Sequence, residues 1–325
     1  MTLNTTGGKA LLGYMELTRL ALERCATARE AILLMGGLAV EHGFHGNTTD
    51  LGGAAESLCI IDSAEAWVFH ILADDSGASA IWAAQRLEPG HAAACCNMFV
   101  IRAMDPEDTD RFLLSDSARE VATRLCLWDP ADGPFDFAAC YSAGEARHRH
   151  YSGRRHWRAL SLLAPSLGLL PHYEDLLLNE PAYPFSVVPD RPIDRTAFFA
   201  IMRDTYSGTE FDLAAQPAAG PFGVTDRYDG GTSSLEGGNF ERPIGVYRMA
   251  YSYVGESKQG EPVLHWGPHT AQSAIYFPVI LRAAQSESGT AAGIPIPTPL
   301  GCGSIKAIDR SSAYWSFRRV KQVSS

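Results

Sequence analysis

Residues 54–101 limit the fold more than any other part of the chain. They hold three apolar runs, at 59–61, 67–71 and 92–101. The polar stretch Asp62-Ser63-Ala64-Glu65 separates the first two, and Pro89-Gly90 precedes the third. Short apolar runs punctuated by turn residues read as consecutive strands, so this region predicts three adjacent strands and excludes an all-helical fold. One amide, Asn97, lies inside the third run. A buried amide without a partner costs roughly 1–3 kcal/mol. Asn97 is therefore expected to be either a bonded core group or a group that faces a cleft and is aimed at a ligand.

Helical patterns flank the strands. Residues 14–25 place Leu17, Leu20, Ala21 and Arg24 on one face. Thr27-Ala28-Arg29-Glu30 has the spacing of a capping box and opens a second helix to about Val40, which Gly43 ends. The short link between the two predicts an antiparallel helical hairpin. Further helices are expected from Asp105-Pro106, from the box Ser117-Ala118-Arg119-Glu120 to Leu125, over 135–141 and 157–163, and from Asp194 to Asp204. Residues 243–254 and 274–278 read as strands, and 215–238 and 285–298 as loops rich in Gly, Pro, Ala, Ser and Thr. The organisation expected is a polar leader over 1–10 and a single domain over 11–325.

Composition narrows the function. A net charge of −10 over 325 residues argues against nucleic acid as a partner, because phosphate binding needs a basic face. The seven cysteines show no CxxC spacing, which fits reduced thiols in a cytoplasmic protein. No run approaches the ~18–20 apolar residues of a membrane span, so no membrane partner is expected.

Several segments, in order, carry a family likeness: LLGYMELTRLALERCATAREAI, then ESLCIIDSAEAWVFH…WAAQR…CCNMFVI, LWDPADGPFDFAACYS, YSGRRHWRALSLLAPS, FAIMRDTYSGTEFDL, ERPIGVYRMAYSYV and HWGPHTAQSAIYFPV. Together they resemble the secernin-like (dipeptidase A-like) family of N-terminal-nucleophile cysteine peptidases. The resemblance implies an α/β (α+β) fold, an αββα sandwich of two stacked, mainly antiparallel sheets between helical layers. It also implies hydrolysis of dipeptide amide bonds by an N-terminal cysteine that opens the first strand, without a cofactor. In this sequence the first cysteine is Cys25, inside a predicted helix, and the polar residues 1–9 run straight into that helical segment. Against the family layout, the nucleophile and the opening strands are missing, and the chain as written is expected to be inactive. Three readings stay open: a dipeptidase whose chain is incomplete, a catalytically inactive relative that binds or regulates, and an acylase-like hydrolase of another amide. Loss of opening strands would leave a bare sheet edge and favour self-association into a homo-oligomer.

Individual residues carry the chemistry. The resemblance implies that Asn97 donates to the oxyanion; its other reading is a core amide. Arg248, in the apolar run IGVYRMAYSYV, could grip a substrate carboxylate in bidentate fashion or pair with Glu241 or Asp62. Arg86 could orient substrate or be a strand-end charge. His269, in HWGPH, could line the cleft through a turn that the resemblance places near the substrate; Gly-Pro between His265 and His269 rules out a zinc-binding helix, and no metal is expected. His70 stands where relatives often carry an acid. In the basic run 147–158, His148 and His150 alone do not make a metal site, and Arg154 and Arg155 are expected to pair with carboxylates such as Asp132 and Asp136. Thr2 could act as a nucleophile with its own amine as base, but no apolar strand follows to hold it.

Overall fold

The computed structural model describes residues 9–46, 55–142, 149–171, 183–215, 217–227, 240–258 and 261–280. The chain divides into two compact units, Met1–Arg191 with Asp229–Glu241, and Pro192–Tyr228 with Arg242–Ser325. Thr2, His148 and the loop 285–298 lie outside the described residues.

In the first unit the helical hairpin forms as its caps require. Helix α1 spans Tyr14–Arg24 and α2 spans Ala28–His42. The Thr27 side chain accepts from the Glu30 N–H while the Glu30 carboxylate accepts from the Thr27 N–H, the reciprocal satisfaction of a capping box. A second carboxylate comes from the turn after the first strand: Asp62 Oδ2 accepts the Ala28 N–H at 2.7 Å. Gly43 ends α2 at φ 79°, a conformation open to glycine.

The main sheet is antiparallel, ordered β1 (Ala55–Ile61), β2 (Ala66–Ala73), β3 (Ala80–Arg86) and β6 (Phe112–Leu114). It is buried on both faces at β2 and β3. Trp67, Phe69, Ile71, Trp82 and Ala84 pack with Leu17, Ile32 and Met35 of the hairpin. Val68, Leu72, Ile81 and Ala83 pack on the other side with Phe99, Val121, Phe137 and Tyr141. Double burial explains why these strands read as continuous apolar runs instead of alternating ones.

Two-residue ladders complete the unit. They join β4 (Ala92–Ala93) to β8 (Ser186–Val187), and β5 (Ala103–Met104) to β7 (Phe135–Asp136). Helices α3 (Ser117–Arg124), α4 (Phe137–Tyr141) and α5 (Arg154–Leu163) follow.

Several expected elements of this unit take another form, among them Phe135–Asp136, a short strand and not the start of a helix. The third strand of the region is β3, not 92–101; beyond Ala93 that run is irregular and makes no ladder. The Asp105-Pro106 helix start is a turn in which Asp105 Oδ1 accepts the Glu107 N–H. Helix α3 exists, but Asp116 precedes it with helical φ/ψ and no capping bond. The Ser117 hydroxyl bonds Ala80 O and Ser115 Oγ instead, so contact with the sheet displaces the local box.

The second unit holds helix α6 (Arg195–Arg203), capped by the Asp194 carboxylate, and an antiparallel sheet ordered β11 (Phe277–Ile280), β10 (Glu261–Pro268), β9 (Tyr251–Lys258). Strand β9 starts eight residues later than expected, because 243–250 crosses the end of α6. Gly245 N–H donates to Asp204 O at 2.9 Å, and a Cβ at Gly245 would come within 2.9 Å of the Arg203 carbonyl carbon. The backbone there is bonded to the helix end and not to a strand. Strand β11 likewise begins at Phe277, after the turn Ala271–Ser273.

Candidate functional site

The run that contains Asn97 is buried without being a strand, so groups outside a ladder must satisfy its backbone. Met98, Phe99, Val100 and Ile101 are all buried, whereas Asn97 itself is exposed at a bend. Three contacts from separate elements fix the run. The Val100 N–H donates to His70 Nε2 at 2.9 Å. The Ser152 hydroxyl, in the π-helical turn before α5, donates to Asn97 O at 3.0 Å. Ile101 O accepts the Ala138 N–H of α4 at 2.9 Å. Asn97 is thus neither a core amide in a strand nor a buried one: its backbone is anchored and its side chain emerges.

His70 sits on β2 directly across from Ser57 of β1, with Nδ1 2.7 Å from Ser57 Oγ. A backbone N–H only donates, so Nε2 must be the acceptor and Nδ1 carries the proton. The ring is therefore neutral and donates to Ser57. Full burial pushes its pKa down to about 3. With both nitrogens committed, His70 is a backbone anchor and not a free base.

The side chain of Asn97 is held by Arg155 of α5, whose Nη2 donates to Asn97 Oδ1 at 2.7 Å. Arg155 is itself fixed: Nε donates to Tyr151 O at 2.6 Å, and the guanidinium lies 5.0 Å from the Tyr151 ring centroid. The other arginine of the doublet is buried. Arg154 Nε donates to Glu241 Oε1 at 3.0 Å, and His150 Nδ1 approaches the same oxygen at 3.2 Å. The expected partners Asp132 and Asp136 are not used. Asp136 instead pairs with Arg102 at 3.0 Å and caps α4.

The thiols nearby are unlike an activated nucleophile. Burial pushes Cys95 up to about 12, against a hydrogen bond from Ser57 and the charge of Arg155, and burial also raises Cys96. A thiol held up in this way stays protonated at pH 7. Cys25 follows the last residue of α1.

The other residues singled out from the sequence lie elsewhere. Arg86, at the end of β3, has Nη1 3.4 Å from Glu65 Oε1, beside Arg29, which approaches Glu65 at 3.8 Å and stacks over Trp67. Arg248 is not in a strand; it is exposed in the turn before β9, its guanidinium 6.0 Å from the Tyr247 ring. Its two suggested partners are engaged by other groups, Glu241 by Arg154 and Asp62 by the N-terminus of α2. His269 follows β10 at φ 66°, and its Nδ1 accepts the Thr270 N–H at 2.8 Å. His265 through Pro268 are part of β10 and not of a turn. Asn97 and Arg86 belong to the first unit, Arg248 and His269 to the second. Among the described residues, no group of three His, Cys, Asp or Glu side chains could hold a metal ion, and no helix is long and apolar enough to cross a membrane.

Sequence reasoning missed Arg155 and Ser152 as partners of Asn97. The adjacent Arg154 and Arg155 in a helix with Trp157, Leu160 and Leu163 buried were the available signal: two neighbours on a helix point about 100° apart, so one could enter the core while the other reached across it.

A family model described as peptidase family C69 matches residues 6–262. A probable dipeptidase of Salmonella dublin is 25% identical over 186 residues, 57% of this chain and 39% of that protein. A probable dipeptidase of Latilactobacillus sakei is 23% identical over 193 residues, 59% of this chain and 36% of that protein. The matched stretch spans well under half the length of either curated relative.

Proposed function

The chain belongs to peptidase family C69, and on that premise we propose that it is part of a dipeptidase in which Asn97 faces the scissile amide. The observation that carries this reading is the exposed Asn97 amide, emerging from a backbone pinned by Ser152 and adjoining a buried run anchored through His70. A rigid base under an exposed donor is what stabilising a developing charge requires.

The proposed chemistry uses the thiolate of an N-terminal cysteine, since the described thiols near Asn97 are pushed up by burial. The thiolate attacks the carbonyl carbon. The C=O π pair moves onto oxygen, and the oxyanion accepts from Asn97 Nδ2–H. The free α-amine, having taken the thiol proton, delivers it to the leaving nitrogen as the C–N bond breaks. A free amino acid departs and a thioester remains. Water then attacks the thioester, the amine accepts its proton, and the thiol is released with the second amino acid. The proposed architecture is the αββα sandwich of N-terminal-nucleophile hydrolases, with substrates limited to dipeptides or similarly small amides.

The test is a dipeptide panel run on the native gene product, its N-terminus defined by intact mass, and on the 325-residue chain. Thiol-sensitive turnover is expected from a Cys-led form and none from the 325-residue chain. Turnover by the 325-residue chain that vanishes on changing one internal cysteine would overturn the N-terminal thiolate. One other reading is an inactive relative that binds the same ligands. A native form that binds dipeptides without hydrolysing them would select it. N-acyl amino acids in the panel test the acylase-like alternative.

A further inference from the structure

We propose that Arg155 is a positioning residue that sets the orientation of the Asn97 amide, so that Nδ2–H₂ and not Oδ1 is presented to the substrate; this rests on the reading of Asn97 as the oxyanion donor. Arginine has donors and no acceptor, so the amide atom 2.7 Å from Arg155 Nη2 must be the oxygen. The orientation of an asparagine amide is otherwise ambiguous; here one neighbour decides it. An amide turned over would aim its carbonyl at a developing negative charge and repel it.

Arg155 is suited to this because its own position is determined from two directions. Nε is bonded to Tyr151 O at 2.6 Å, one turn earlier on the same helical segment, and the guanidinium lies over the Tyr151 ring. Ser152, next to Tyr151, bonds the Asn97 carbonyl at 3.0 Å. A single stretch, 151–155, therefore holds both ends of Asn97, backbone through Ser152 and side chain through Arg155. The positive charge of Arg155 also withdraws electron density through Oδ1, which makes the Nδ2 protons better donors. Arg155 does not touch the substrate in this arrangement; it acts through Asn97.

Two measurements test it. The first needs no ligand. In the 15N spectrum of the full 325-residue chain, the Asn97 Nδ2–H₂ pair is assigned from its loss in Asn97→Ala. It is expected to move in Arg155→Ala and to stay close to its original position in Arg155→Lys, where an ammonium can still donate to Oδ1. An unmoved pair in Arg155→Ala overturns the inference, and Arg155→Lys keeps the test available if the alanine variant does not fold.

The second uses a phosphinate dipeptide analogue, whose tetrahedral anionic group stands in for the oxyanion, beside the corresponding dipeptide. Asn97→Ala is expected to weaken the phosphinate ~10²-fold, the scale of one lost oxyanion donor, with a smaller effect on the dipeptide. Arg155→Ala is expected to weaken the phosphinate about tenfold, Arg155→Lys less, and the double variant no more than Asn97→Ala alone. Additive losses, or equal losses for phosphinate and dipeptide, overturn the positioning role and leave the donor role of Asn97 standing. No selective loss in Asn97→Ala overturns the donor reading itself, while the 15N result still decides whether Arg155 orients the amide.

Discussion

Acid should weaken the first unit before its carboxylates titrate, and His70 is one of two reasons. The ring is fully buried and neutral, with Val100 N–H on Nε2 and Ser57 on Nδ1; burial lowers its pKa from 6.5 to about 3. His156 of α5 is also buried, and burial lowers it to about 4. A folded-state pKa below the unfolded one means that the unfolded chain binds more protons as pH falls. The stability these rings contribute is full above about pH 6.5 and drains away below it, down to the folded pKa. Between about pH 7 and pH 5 each ring should cost about 2 kcal/mol, roughly 4 together, from the difference in proton binding at these pKa values. That is a large share of a typical 5–15 kcal/mol total. Urea melts followed by tryptophan fluorescence at fixed ionic strength would measure it. The decisive comparison is His70→Gln. It should be less stable at pH 7, since an imperfectly placed amide leaves the Val100 N–H poorly bonded, at roughly 1–3 kcal/mol. It should also lose about 2 kcal/mol less than the parent on going to pH 5. If parent and variant lose the same amount over that interval, His70 does not titrate on unfolding and the account of the anchor is wrong.

Three other outcomes follow from packing. Gly36→Ala places a Cβ 2.3 Å from Trp82 Cε2, an overpacking worth about 1–3 kcal/mol, visible as a lowered urea midpoint; an unchanged midpoint would mean that α2 can slide off the sheet freely. Arg154→Met should destabilise by roughly 3–5 kcal/mol, because it takes the guanidinium from the buried Glu241 carboxylate and leaves His150 beside it, and Arg154→Met/Glu241→Leu should recover most of that; a double variant as poor as the single one would show that the pair is not what is being broken. Strand β1 is ladder-bonded to β2 alone among the described residues, and Ile61 is half exposed, so the chain is expected to associate with rising concentration and Ile61→Lys to suppress it. Light scattering that finds a concentration-independent monomer would dismiss that edge as an association site.

What the sequence made legible was local. Both hairpin helices, their capping box and the Asp194 cap depend on residues within four positions of one another, and all three formed. Strand β3 was harder to see, since its alanines dilute an apolar signal that double burial has already stripped of alternation. The run 92–101 misled for the converse reason. Apolarity reports burial, and residues 98–101 are buried, but a strand also needs a neighbour to bond, and here His70, Ser152 and α4 supply those bonds. The partners of Asn97 lie 55 and 58 positions away, beyond any local pattern. The family likeness pointed to Asn97, and nothing in the spacing pointed to Arg155.

Because side chains and not a ladder hold Asn97 and Val100, that segment can be adjusted by point substitution. A strand is locked to its neighbour by main-chain groups common to every residue, so its path shifts only if the whole pairing slips. The Asn97 segment hangs from a handful of exchangeable fasteners, and a library confined to positions 70, 152 and 155 could displace the amide by fractions of an ångström while the four-stranded sheet beneath it stays as it is. For anyone wishing to retune which small amide this scaffold accepts, those positions are a more economical starting place than the residues that would touch the ligand.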